Sequence, residues 1–167
     1  RGERAFEILP NKQILIGFEF QKKLPFNSVF YAPNSLPVID GNRSVITWTV
    51  PDFNTQNYIQ IPKGATHARL VLQAAILSDY VFDQSEQIYR FVNPELNERH
   101  AADYSVQFPL TGMVGSDLVL TADLGLTSLL PDTAGVIIGT AILFYQQINC
   151  LFYALANNNS LQAAAVG

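Results

Sequence analysis

A single cysteine, Cys150, leaves this 167-residue chain unable to form an intrachain disulfide, so cysteine usage gives no sign of an oxidising compartment. Export is not excluded by that lack. A folded chain of about 150 residues buries roughly 68–70% of the surface its unfolded form exposes and needs no staple or metal. Charge is scarce as well, at 14% of residues against roughly 25% in typical soluble domains. The scarcity admits two readings. Either the outward faces of a β-rich chain carry Thr, Ser, Asn and Gln, or a partner covers part of the surface. Positive charge is scarcest: Lys and Arg number 10 against 14 acids, for a net charge of −4. The basic residues are scattered, and Lys22-Lys23 is the nearest to a patch. Nucleic-acid partners need a basic stripe to neutralise phosphates, and none is present.

No signal peptide is visible at the N-terminus. The chain opens at Arg1-Gly2-Glu3-Arg4 without methionine, so a processed or truncated product is expected, such as the C-terminal part of a longer precursor. The most apolar run, residues 134–145, is too short for the ~20 residues of a membrane helix and reads as a buried strand. Internal repeats, linkers and low-complexity segments are missing too, which makes residues 1–167 one domain.

Short strands make up what is there. Residues 13–21 are β-branched and aromatic and predict a first strand, and residues 26–31 a second. Asp40-Gly41 signals a turn. Over residues 44–50 the alternation places Ile46, Trp48 and Val50 on one core face, and Pro51 ends the run. Residues 52–60 read as polar loop pinned by Phe53, Tyr58 and Ile59, and Pro62-Lys63-Gly64 as a turn. Period-2 alternation over residues 66–78 sets Ala68, Leu70 and Leu72 on one side. A hairpin follows, 79–82 with 87–92 around a tip at 83–86. Residues 93–102 form a loop or helical turn, residues 124–133 a loop, and residues 104–110, 117–123 and 136–147 three further strands.

A closing hairpin spans 144–153. A two-residue turn at Asn149-Cys150 would want positive φ at both positions, which suits Cys150 poorly and predicts a longer loop with a buried or half-buried thiol. Asn157 to Asn159 turn the chain, and residues 161–166 make a weak last strand. About nine short strands without a long amphipathic helix predict an all-β fold, a mostly antiparallel β-sandwich of undetermined jelly-roll or immunoglobulin-like topology.

Catalytic machinery is not discernible. His67 lacks an evident nucleophile and orienting carboxylate. Glu95, Glu98, His100 and Asp103 offer metal-ligating side chains, but the two-His spacing of a zinc helix is absent and a solvated loop explains them. Asp52 and Asn54 lack the spaced acids of a calcium loop. Nucleophile-elbow, P-loop and dinucleotide fingerprints do not occur. No catalytic, metal or cofactor residue is therefore assigned, and no cofactor is expected.

The aromatic content is the more informative feature, with one Trp, 7 Tyr and 11 Phe. Most fall at alternating strand positions, where core packing accounts for them. Tyr58, Tyr80 and Tyr89 lie near loops or strand ends and are candidates for exposure, hence for interaction. Leu161 and Val166, in the apolar tail, are candidates for strand addition to a neighbour's sheet.

Residues 1–4 followed by Ile16-Gly17-Phe18-Glu19-Phe20 resemble a stretch in a family of uncharacterised bacterial proteins. Residues 139–155, centred on Phe144-Tyr145-Gln146-Gln147-Ile148-Asn149, are similar to that family's C-terminal hairpin, IEFYQEVNG…YPL, with Cys150 where the family has Gly. Residues 61–67 match a central turn and strand of the same kind. Family members carry an extra basic, Gly-containing N-terminal region that this chain lacks. The resemblance implies a bacterial β domain and leaves the function open.

Two function classes follow. The first is a non-enzymatic structural module that assembles with copies of itself or docks on a larger bacterial surface or particle, in an extracellular or cell-surface setting. The second is a carbohydrate-binding sandwich using loop aromatics and Asn/Gln-rich turns. An exposed apolar edge or tail favours the first, and a shallow face with two coplanar exposed aromatics the second. A cleft with paired acids would favour a third, an enzyme.

Overall fold

A computed structural model describes residues 4–167, so Arg1 to Glu3 of the N-terminal resemblance lie outside the described residues. The chain enters through a 3-10 turn, Lys12–Ile14, and a helical turn α1, Phe26–Val29. Strands β1 (Val38–Ile39) and β2 (Val45–Val50) precede a second helical turn, α2 (Thr55–Tyr58). Next come β3 (His67–Ser78), the hairpin strands β4 (Tyr80–Asp83) and β5 (Ile88–Phe91), β6 (His100–Tyr104) and β7 (Phe108–Pro109). The chain continues through β8 (Leu118–Asp123), β9 (Ala134–Ile148), β10 (Leu151–Ala154) and β11 (Ser160–Val166).

Every strand pair is antiparallel. A smaller sheet runs β1-β2-β8, and a larger one runs β10-β9-β3-β6, with β11 also beside β9 and β7 beside β3. The fold class is all-β, as expected, with eleven strands among the described residues rather than about nine.

Alternation in the sequence sets the core. On β2, Ile46, Trp48 and Val50 are buried and register against Ala122, Leu120 and Leu118 of β8, so one face of the small sheet is wholly apolar. On β3, Ala68, Leu70, Leu72, Ala74 and Ile76 are buried opposite Phe144, Ile142, Thr140, Ile138 and Val136 of β9. Burying these two faces against each other makes the sandwich. An aromatic cluster closes one end: Phe30 lies 5.4 Å from Phe53 and 6.3 Å from Trp48, and Phe53 lies 5.9 Å from Phe108. The buried Trp48 indole N–H donates to Asn34 Oδ1 (3.2 Å) and to the Ser35 carbonyl (3.1 Å), so its polar end is satisfied.

Four local expectations are corrected. Residues 13–21 are not a strand. Asn11 and Lys12 carbonyls accept from Ile14, Leu15 and Ile16, and Gly17 at φ +80° then breaks the run. Only a short extended piece survives, bridging Glu19 to Gln162. Residues 26–31 coil into α1 instead of a strand, because Pro25 presets the turn and its carbonyl accepts from the Ser28 N–H and hydroxyl. Glu19 Oε2 takes the Phe26 N–H at 3.0 Å, and Phe26 and Val29 bury together one turn apart.

The strand expected over 104–110 begins earlier, at His100, and is broken in two. Ser105 Oγ accepts the Leu70 N–H and Val106 turns outward, which separates β6 from β7. The closing hairpin has a two-residue turn after all. Asn149 (φ 50°) and Cys150 (φ 63°) both adopt positive φ between the paired Ile148 and Leu151. Cys150 is exposed at this tip, contrary to the expected buried or half-buried thiol, because the tight turn points it into solvent.

Candidate interaction surface

The tail is where expectation and structure differ most. Val166 is buried and registers with Ile137, and Leu161 is half-buried beside Ala141, so β11 completes its own sheet instead of offering itself to a neighbour. Its outer edge is also occupied. Gly17 N–H donates to the Ala163 carbonyl (2.8 Å), Ala163 N–H to Phe18 (2.9 Å), and Phe20 N–H to Leu161 (3.1 Å). Strand addition through Leu161 and Val166 would require both of these ladders to break.

Apolar surface is instead presented by two hairpins. In β4–β5, Val81, Ile88, Tyr89 and Phe91 are exposed, and every residue of β5 is open to solvent. Tyr80 is half-buried between Phe6 (5.9 Å) and Phe91 (4.7 Å), and Tyr89 packs on Phe82 at 5.2 Å. Tyr80 and Tyr89 share a cleft of about 680 Å³ with Arg4, Phe6, Asn11 and Ile14. Tyr58 does not join them. It is half-buried against Tyr31, with centroids 6.3 Å apart.

The second hairpin, β9–β10, carries exposed Ile148, Leu151, Phe152 and Tyr153. Beyond Asp132 no residue of the chain bears a formal charge, so this hairpin is wholly uncharged. Sequence reading missed these side chains, since an uninterrupted apolar run looks like core. The signal available was the absence of charge after Asp132.

The outer face of the large sheet forms a shallow trough. Its floor is small, with Ala75, Gly139, Ala141 and Ala163, and Phe20, Tyr104 and Leu161 make the walls. One part holds about 440 Å³ and reaches His100 and Gln73, and an adjoining part holds about 210 Å³. Beside it the Arg69 guanidinium lies 4.4 Å from the Tyr104 ring centroid and 5.3 Å from that of Tyr145. Two ring faces thus hold one cation without a carboxylate partner among the described residues.

The titratable candidates have structural partners. His67 Nδ1 lies 3.0 Å from Thr66 Oγ1, with the ring edge-on to Phe152 at 4.9 Å. His100 Nδ1 faces the Glu98 carbonyl at 3.0 Å. Asp103 accepts the Tyr104 and Thr121 N–H groups, Asp52 that of Gly115, and Asn54 caps α2 through the Gln56 N–H. Among the described residues no three His, Cys, Asp or Glu side chains converge as metal ligands. At the β4–β5 tip the Ser85 hydroxyl and then Arg90 hold the Asp83 carboxyl down at about 2. In the described residues no helix is long and apolar enough to cross a membrane. No protein-family model, curated protein or solved structure matches this chain.

Proposed function

We propose that this chain is a non-enzymatic structural module that assembles with copies of itself or docks on a larger bacterial surface or particle. The observation that carries the reading is the pair of hairpins, β4–β5 and β9–β10, whose strands present apolar side chains to water. A two-stranded hairpin is marginal on its own, and a partner that covers its apolar side chains removes that cost. Light scattering over a range of concentrations tests it. A mass that rises above the 18.5 kDa of one chain is the expected result, and a constant monomer mass removes homotypic assembly.

Carbohydrate binding is the second reading, supported by the trough with Tyr104, Gln73 and His100 on its walls. Ring geometry weighs against it. The paired surface aromatics cross at steep angles, 63° for Phe82–Tyr89, 65° for Tyr31–Tyr58 and 88° for Phe18–Phe20, so none of these pairs forms a flat stacking platform. Retention on a glycan panel that is lost in Tyr104→Ala would reverse the preference.

A further inference from the structure

The sheet edges of this molecule are unequally defended. The outer edge of β11 is covered by residues 17–20. The β6 and β8 edges are bridged by Asp103, whose Oδ2 accepts the Thr121 N–H at 2.7 Å. Strands β1 and β7 are two residues long, and β7 contains Pro109. On β5, Arg90 puts a charge on the edge and pairs with Asp83 (2.9 Å) and Glu86 (2.5 Å). Short length, proline, charge and a covering segment are the usual means of blunting an edge.

Strand β10 has none of these beyond its modest length. It pairs only with β9 among the described residues, all four of its residues are exposed, and no charge or proline lies on it. The bond from Leu155 N–H to the Phe144 carbonyl (2.9 Å) fixes which groups face outward. Along an antiparallel strand the hydrogen-bonding direction alternates, so Ala154 and Phe152 direct their N–H and C=O groups away from β9.

Resting on the assembly reading above, the geometry points to β10 as the joint between two copies of this chain, paired antiparallel about a two-fold axis with Tyr153 opposite Tyr153 of the second copy. In that register Phe152 meets Ala154 of the other chain, and both outward-facing residues of each copy are satisfied. A register centred on Phe152 would leave Ala154 opposite the turn residue Cys150. The occupant is a second copy because the outward groups of Phe152 and Ala154 complement those same two residues in this register, and the uncharged hairpin sets no like charges against each other. Each chain carries a net charge of −4, yet the β9–β10 hairpin adds no like charge at the two-fold axis.

Cys150 supplies the test, being the only cysteine and exposed at the hairpin tip. In the proposed register it lies opposite residue 156 of the other copy. The two Cys150 Cα atoms are then six residue steps apart along the strands, about 20 Å at ~3.3 Å per residue. Spin labels on Cys150 of the unaltered sequence should report a dipolar distance in that range. Tyr153→Lys sets two lysines face to face and should weaken dimerisation about tenfold or more, while Val106→Lys, at an exposed position outside both hairpins, leaves it intact. An oligomer that survives Tyr153→Lys, that dissociates with Val106→Lys, or that shows only distances far longer than expected overturns the joint and leaves assembly standing. A monomer at every concentration overturns both. The spin-label distance needs no substitution, so a misfolded variant does not spare the proposal.

Discussion

Ile8 occupies the space that a side chain at position 135 would need: a Cβ built on Gly135 would come within 2.6 Å of Ile8 Cγ2 and 3.3 Å of Leu9 Cδ2. Ile8 is 1% exposed, and its N–H donates to Asp79 Oδ1 at 2.7 Å, so the entry segment is seated by a hole in β9 and an anchor beside β4. Gly135→Ala should unseat it. Overpacking of this kind costs about 1–3 kcal/mol, and a chain of this size loses roughly 2–4 °C in Tm per kcal/mol. Limited proteolysis should then cut within residues 4–20 while the sheets persist. Unchanged Tm and unchanged cleavage would show that Ile8 is not seated there.

The turn at Asn149-Cys150 invites a gain in stability. A left-handed conformation costs a non-glycine residue about 1–2 kcal/mol, and Cys150 holds φ 63° without relief. Cys150→Gly creates the favoured Asn-Gly pair and should stabilise the hairpin by about 1 kcal/mol. Slower amide exchange at Ile148 and Leu151 would register it. Cys150→Val, β-branched at positive φ, should shift exchange the other way.

The β4–β5 tip should respond to acid on its own. Asp83 is held at about 2 by the Ser85 hydroxyl (2.5 Å) and next by Arg90 (2.9 Å). A carboxyl lowered on folding stabilises the fold above its unfolded value of about 3.9. That contribution fades as pH falls towards 2 and is gone below it. An NMR titration of the Asp83 carboxyl should therefore have its midpoint near 2, and Ser85→Ala should move it upward. A midpoint at the ordinary aspartate value would show that the tip is not held this way.

Strands whose one face is buried were legible in the sequence. In β2, β3 and β8 the inward residues alternate with outward ones, and their bounds fall within a residue or two of the expectation. Residues 13–21 and 26–31 misled because β-branched and aromatic side chains there are held by local turns, with Gly17 and Pro25 deciding the backbone. Of the five candidate interaction residues, Tyr80 and Tyr89 come together, Leu161 lines the trough, Tyr58 stands apart and Val166 is buried. Leu151, Phe152 and Tyr153 were legible only in part: the lack of charge after Asp132 marks the hairpin, but composition records only that a residue is apolar, and pairing alone reveals which strand is left at an edge.

The order of strands also governs when this chain is able to fold. β3 registers along its whole length with β9, from His67 with Tyr145 to Ser78 with Ala134, and β9 in turn depends on β11. Residues 17–20 then dock on the far side of β11. Residues 17–20 therefore find their final neighbours only once β11 has been synthesised, whereas Phe6 and Ile8 meet Tyr80 and Asp79 well before that. On the ribosome, the apolar run of β3 must therefore wait for distant partners, and such non-local pairing is slow, on the order of milliseconds to seconds. Shielding during that wait, more than stability afterwards, is the demand this topology places on the cell.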